Sequence, residues 1–270
     1  VIYFCHIPRT SGTSIEKDVH SKFNRDLKIL TKMEFEKYSP FHNLTINKEE
    51  LESFIINCYS NIDFLNCHLA STPYIEPYCE NLQTFSIMRE PIDRIISEFH
   101  YKHRSTTDKN WINYEIFNVK NFINYNANSQ CLWLFGSFKW DKTLKDRTNM
   151  DIFWLDLEMG KVSFEKILQI IKKRNIKLST IENRVYLLNE LEICLNKIKK
   201  TNITLDKKII FNENPYADTR KELDNIECFL SDKEIENIKI ANSLDYQLYN
   251  YIKDHETKTG RCLTPDDILF

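Results

Sequence analysis

Glycine is nearly missing from this chain: its 270 residues hold four, at Gly12, Gly136, Gly160 and Gly260. A chain so poor in glycine has few places where its backbone can approach a ligand closely, so each position is informative. The eight cysteines are scattered, with no C-x-x-C pair and no Cys/His run of zinc spacing, which leaves buried thiols or one or two disulfides. Neither sign of charge dominates: 37 basic and 39 acidic residues give a net charge of -2 and a pI near 6.4. Nothing overall therefore points to nucleic acid, and an anionic partner must be met by a local basic patch. No apolar run approaches the roughly 20 residues of a membrane span. The chain opens at Val1, on residues that already read as a buried strand, so a further segment upstream is expected. Internal repeats, low-complexity linkers and composition shifts are also lacking. One domain over 1–270 is the expectation, large enough to bury roughly three quarters of its unfolded surface.

Val1 to Ile7 is a short β-rich apolar run ending at Pro8, the pattern of a strand buried on both faces. A polar turn over 9–14 follows, and then Ile15, Val19 and Phe23 recur as one helical stripe. The same grammar returns at Ile62–Leu65, leading to Cys67-His68, and at Thr84–Met88, broken by Arg89-Glu90-Pro91. A helix over 92–103 is predicted, with Ile92, Ile95, Ile96 and Phe99 facing inward. Residues 112–135 and 162–174 read as helical, Val185–Leu188 as a strand feeding a helix to about Lys200, and Lys208–Phe211 as a last strand. A closing helix is marked by a capping box of Ser231 with Glu234, and Ile235, Ile238, Leu248 and Ile252 form its apolar face. Strands alternating with helices predict an α/β fold: a P-loop-like domain whose mostly parallel central sheet is flanked by helices.

Two loops carry the chemistry. A strand that ends in small residues and opens a helix aims successive N–H groups at one point, where the helix N-terminus adds positive charge. Gly12 permits close backbone approach, Thr10, Ser11, Thr13 and Ser14 add hydroxyls, and Arg9 brings a full cation. The G-x-x-x-x-G-K-S/T spacing of a Walker loop is absent, and an ordinary capped helix with Thr13 or Ser14 at its start is the plain alternative. In the second loop Arg89 ends a predicted strand and Ser97 lies two turns into the next helix. If the two strands are neighbours in a parallel sheet, both loops meet at its carboxyl edge. Arg89 then offers a planar fork to a phosphate, and Ser97 a hydroxyl. A structural ion pair of Arg89 with Glu90 or Asp93 is the competing reading.

Taken together, these stretches resemble a known family. Residues 7–14, I-P-R-T-S-G-T-S, resemble the P-K-T-G-G-T-S/T loop that binds the 5′-phosphosulfate in Golgi-type carbohydrate sulfotransferases. Residues 87–98, I-M-R-E-P-I-D-R-I-I-S-E, resemble their L-R-D-P-x-x-R-x-x-S-E loop for the 3′-phosphate. Residues 125–130 look like an acceptor-side N-x-Q segment, and 242–249 are similar to the family's last helix. The resemblance covers about residues 1–255 and is nearest the heparan sulfate 2-O- and 6-O-sulfotransferases. It implies sulfuryl transfer from 3′-phosphoadenosine 5′-phosphosulfate (PAPS), with PAP as product, to a hydroxyl of a heparan sulfate-like glycan. It also implies Arg9, Thr10, Ser11, Gly12, Thr13, Ser14, Arg89 and Ser97 as donor-binding residues, with no metal. His68, 21 residues before Arg89, falls about where the family's catalytic histidine does, and an imidazole suits the base. A structural histidine is the alternative for His68, and His6, His100, His103 and Glu98 are weaker candidates for the base.

The sequence departs from the family at Arg9, where lysine is usual. Arginine keeps the charge but cannot give up its proton. Ser11 replaces the first loop glycine, a mild change provided its backbone avoids positive φ. On the acceptor side, Lys102, His103 and Arg104, and Lys139, Lys142, Lys145 and Arg147, are basic clusters, and Trp111, Trp133 and Trp140 could stack on sugars. Beside the active enzyme, a non-catalytic relative that binds nucleotide or glycan, a sulfotransferase of small-molecule alcohols and a P-loop-like phosphotransferase are the competing classes. The last lacks both a Walker lysine and an evident metal-holding aspartate. A Golgi lumenal location with an upstream membrane anchor is expected for a eukaryotic source, and a cytoplasmic one for a microbe.

Overall fold

The protein is seen in a computed structural model that describes residues 1–7, 10–23, 29–30, 63–67, 81–105, 127–135, 160–207 and 231–270. Five strands form one sheet: β1 (Ile2–Cys5), β2 (Ile29–Leu30), β3 (Phe64–Cys67), β4 (Gln83–Met88) and β5 (Ile176–Thr180). Their order is β2-β3-β1-β4-β5, and every pairing is parallel. The helices are α1 (Gly12–Phe23), α2 (Pro91–Ser105), α3 (Ser129–Phe135), α4 (Phe164–Lys173), α5 (Arg184–Lys199), α6 (Asp232–Ala241) and α7 (Ser243–Thr259). This is the predicted α/β architecture, with helices on both faces of a parallel sheet.

Strand alternation sorts the apolar side chains to two faces. Ile2, Phe4, Phe64, Phe85 and Ile87 pack with Ile15, Val19 and Phe23 of α1 and Leu187, Leu188, Leu191 and Leu195 of α5. Tyr3, Cys5, Leu65, Met88, Ile176 and Leu178 face α3, α4 and α7, through Leu134, Phe135, Ile167, Ile171, Leu248 and Ile252 among others. Each such large side chain contributes roughly 1.5–3 kcal/mol by leaving water, so both layers are needed to hold the sheet. The far edge of β5 is covered by the chain's end, where Leu178 and Leu263 exchange two backbone hydrogen bonds of 2.9 Å.

Several elements differ from the sequence reading. Residues 185–188 are helical, because Leu187, Leu188, Leu191 and Leu195 form one stripe of α5 that outweighs the β-like look of Val185-Tyr186. The strand sits earlier, at β5, where Lys177, Ser179 and Thr180 break the apolar pattern. The closing helix is two: α6 carries the expected capping box of Ser231 with Glu234, and Asn242 ends it before α7. Strand β2, two residues long, is too short to leave a periodic signal. In α2, Ile95 is buried, Ile92 and Ile96 are half-buried, and the most buried side chain is the cation Arg94. Residues 208–211, the expected last strand, lie outside the described residues, as do 112–126. Among the described residues no helix is long and apolar enough to cross a membrane, and Cys5, Cys131, Cys194 and Cys262 are free thiols.

The polar end of β5 is explained by Glu256 of α7, which is 2% exposed. Its carboxylate accepts from Thr180 N (2.9 Å), Thr180 Oγ1 (2.6 Å), Asn183 Nδ2 (3.0 Å) and Ser179 Oγ. Four donors converging on one buried carboxylate fasten α7 to the carboxyl edge of the sheet. Glu256→Ala would strand those donors, and we expect a loss of at least about 3 kcal/mol in urea unfolding, with the far-UV spectrum of the folded variant unchanged.

Candidate functional site

Strand order decides where a site forms. β1 leads to β2 on one side of the sheet, whereas its neighbour β4 leads to β5 on the other. The loops after β1 and β4 therefore part at their carboxyl ends, the switch point at which open α/β sheets bind ligands. The residues after β1 are the first predicted loop, and those after β4 are the second. Both leave from the same edge of the sheet, because β1 and β4 are adjacent and parallel.

In the first loop, Thr10 is buried and its hydroxyl donates to Ile7 O at 2.8 Å. Its proton is thus used inside the loop, and Thr10 shapes the turn. Ser11 has φ 70°, the left-handed region that favours glycine. The condition under which serine would be a mild replacement there is not met, so this position is strained. α1 begins at Gly12, with Ser14 N and Ile15 N donating to Ser11 O at 3.1 and 3.3 Å. Gly12 is required for a reason other than ligand approach: a Cβ there would come 2.0 Å from Cδ2 and 2.2 Å from Cγ of His6. His6, only 5% exposed, fills the space that the missing side chain leaves, which places it under the loop. Thr13 is exposed and Ser14 buried. Arg9 and His68 lie outside the described residues, as do Trp111, Trp140, the basic residues at 139, 142, 145 and 147, and the side chains at 99–105.

A small cleft opens beside this loop, lined by Ser11, Ser14, Asp18, Arg184, Leu188 and Asp206 among others. Arg184 starts α5 and donates to Ile181 O at 3.3 Å. Asp18 is occupied, by Lys22 Nζ at 3.1 Å and Asp206 N at 2.6 Å. Sequence reasoning passed over Arg184, because no motif joins it to a loop more than a hundred residues earlier.

The second loop is held from several directions. Arg89 N donates to Gln130 Oε1 at 2.9 Å, and Gln130 Nε2 donates to Arg89 O at 2.8 Å. Glu90 accepts from Asp93 N at 2.8 Å, capping α2, and from the hydroxyl of Tyr246 on α7. Burial, then Glu90 itself, push the Tyr246 hydroxyl well above the ordinary phenol range, so it remains a donor. The ion pair in this loop joins Arg94, fully buried, to Glu98 one turn on. A buried cation is tolerated only when paired, and Glu98, engaged this way, is poorly suited to be the base. Arg89 and Ser97 are half-buried.

Behind the loop, α3 and α7 cap one another. Asp245 accepts from Gln130 N (2.9 Å) and Cys131 N (2.8 Å), and Asn242 Oδ1 accepts from Asn128 N (3.0 Å). In return Asn128 Oδ1 accepts from Leu244 N (3.0 Å) and Asp245 N (3.3 Å). All of these groups are buried. Burial pushes the Asp245 carboxyl up, opposed by the two N–H donors and by Arg94. The expected acceptor-side segment is thus built into the frame at Asn128 and Gln130.

No family model, curated protein or solved structure matches this chain. Its chemistry has to be argued from the site. Among the described residues no group of three or more His, Cys, Asp or Glu side chains is placed to hold a metal ion. Trp133 is half-buried and packs on the core beside α3, where its carbonyl accepts from Cys5 Sγ at 3.5 Å. What the site offers is a helix N-terminus with adjoining hydroxyls and, after the neighbouring strand, a second loop whose arginine has a fixed backbone.

The strain at Ser11 is measurable. Ser11→Gly removes a left-handed penalty of roughly 1–2 kcal/mol and adds chain entropy worth roughly 0.5–1 kcal/mol. We expect a net gain between about 0 and 1.5 kcal/mol in urea unfolding. Gly12→Ala, which must displace a buried imidazole, is expected to cost about 1–3 kcal/mol in the same assay.

Proposed function

We propose that this protein is a PAPS-dependent O-sulfotransferase whose acceptor is a hydroxyl of a glycan of the heparan sulfate type. The observation that carries this reading is the adjacency of β1 and β4. It puts two loops with the residue order of the 5′-phosphosulfate and 3′-phosphate sites on one sheet edge. A chance match to either loop would carry no requirement that they be neighbours.

The residues present fit such a nucleotide. The N–H groups opening α1 with Thr13 and Ser14 would hold the 5′-phosphate end, and Arg89 with Ser97 the 3′-phosphate. PAPS supplies the sulfuryl group. His68, next in sequence after β3, would take the proton of the acceptor hydroxyl as its oxygen attacks sulfur, a role worth roughly 10²–10⁴ in rate. Arg9 and the start of α1 would balance the charge left on the 5′-phosphate when the sulfur–oxygen bond breaks. With arginine in place of lysine this is electrostatic help without proton donation. Since the fixed groups act by position and charge, no metal step is invoked.

A thermal-shift titration with PAP tests the donor site. A ligand of the folded state raises stability by about 2.7 kcal/mol at a hundredfold excess over Kd. We expect that shift in the wild type and its loss in Arg89→Ala; no shift at millimolar PAP would overturn the reading. Labelled PAPS with His68→Ala then separates turnover from binding, since a non-catalytic relative would bind PAP and transfer nothing to any glycan.

A further inference from the structure

Arg89 stands one residue beyond the sheet, where ladder partners have run out. Along β4 the backbone groups of alternate residues face opposite neighbours. Gln83 N donates to Val1 O on the β1 side, whereas Thr84 N donates to Asn175 O and Met88 O accepts from Ile181 N on the β5 side. Arg89 belongs with Gln83, in the set facing β1. But β1 pairs with β4 only as far as Phe4 opposite Phe85, and Ser86 Oγ, donating to Cys5 O at 2.7 Å, spans the beginning of the gap. Four residues past Phe85, the amide of Gln130 takes the place a β1 residue would have had, accepting from Arg89 N and donating to Arg89 O.

The geometry points to Gln130 as a positioning residue for the 3′-phosphate, acting through the backbone of Arg89. This inference rests on the sulfotransferase reading and moves the segment at 125–130 from the acceptor to the donor side. Gln130 is fully buried, and its own N–H is held by Asp245, so the clamp is anchored to α7. An arginine that reads a phosphate by a two-pronged fork depends on angle as well as distance. With both backbone groups of Arg89 fixed, the residue leaves the sheet in one direction. A displacement of about 1 Å at a group that orients a substrate is enough to lose on the order of a hundredfold.

The test is titration calorimetry with PAP and with adenosine 5′-phosphate, which lacks the 3′-phosphate. The proteins are wild type, Gln130→Met, Gln130→Glu, Arg89→Ala and the Gln130→Met/Arg89→Ala double variant. Gln130→Met removes both bonds; Gln130→Glu keeps the size and the acceptor for Arg89 N, and carries the test if the methionine variant does not fold. We expect PAP affinity to fall about tenfold to a hundredfold in Gln130→Met and by less in Gln130→Glu, with adenosine 5′-phosphate bound as before. In the Arg89→Ala background, Gln130→Met should cost nothing further. An equal loss for both nucleotides, or a loss that adds to that of Arg89→Ala, would make Gln130 a plug in the fold and overturn the inference. Unchanged PAP affinity in a folded variant would do the same. Failure of the wild type to bind PAP at all would instead remove the reading on which the inference stands.

Discussion

The parting of β1 and β4 at their carboxyl ends is the constraint on which the rest of this structure turns. While the two strands run together, each satisfies the other's backbone and their side chains fill both layers of the core. Where they separate, buried N–H and C=O groups lose partners, and such groups cannot be left unpaired at less than roughly 1–3 kcal/mol each. The fold meets this with side chains that imitate backbone. Ser86 reaches across to Cys5, Thr10 turns its hydroxyl to Ile7, and the Gln130 amide stands in for a strand beside Arg89. The same parting sends the two loops off opposite sides of one strand pair, at a single edge of the sheet.

Those substitutes have to be rigid to be useful, and rigidity comes from the far end of the chain. Asp245 and Asn242 hold the start of α3, Asn128 returns the bond to the start of α7, Tyr246 braces Glu90, and Glu256 fastens the same helix to β5. Helix α7 thus supports the exits of β4 and β5 together. Buried polar networks of this kind are costly when incomplete and specific when every member is satisfied. Their presence at the sheet's carboxyl edge, rather than deep in the apolar layers, ties them to the loops they steady.

The first loop is built differently. Its shape follows from a left-handed Ser11 and from a glycine that makes room for His6. Strain at a sparsely populated φ persists only where the surroundings enforce it, and it concentrates at binding loops. Arg184 at the start of α5 brings a cation into the cleft beside Ser11 and Ser14, where it shares the lining with Asp18 and Asp206.

Much of the frame was legible in the residues alone. The stripe of Ile15, Val19 and Phe23, the buried run of β1, the strand before Arg89 and the box of Ser231 with Glu234 are local patterns. Period and capping chemistry act over a few residues and so can be read without a fold. The pairing of β1 with β4 was inferable only as a condition, because register and neighbour choice depend on packing across the whole sheet. What lay beyond reach shares one cause. β5 is made a strand by a carboxylate 76 residues away, Gln130 meets Arg89 across 41 residues, and Asp245 holds the N–H of Gln130 across 115. Hydrogen bonds between distant residues leave no period in a sequence. The chain by itself determined its α/β class and its two candidate loops; the tertiary structure decided that the strands leading to them are neighbours, that Ser11 is strained and that Gln130 belongs with Arg89.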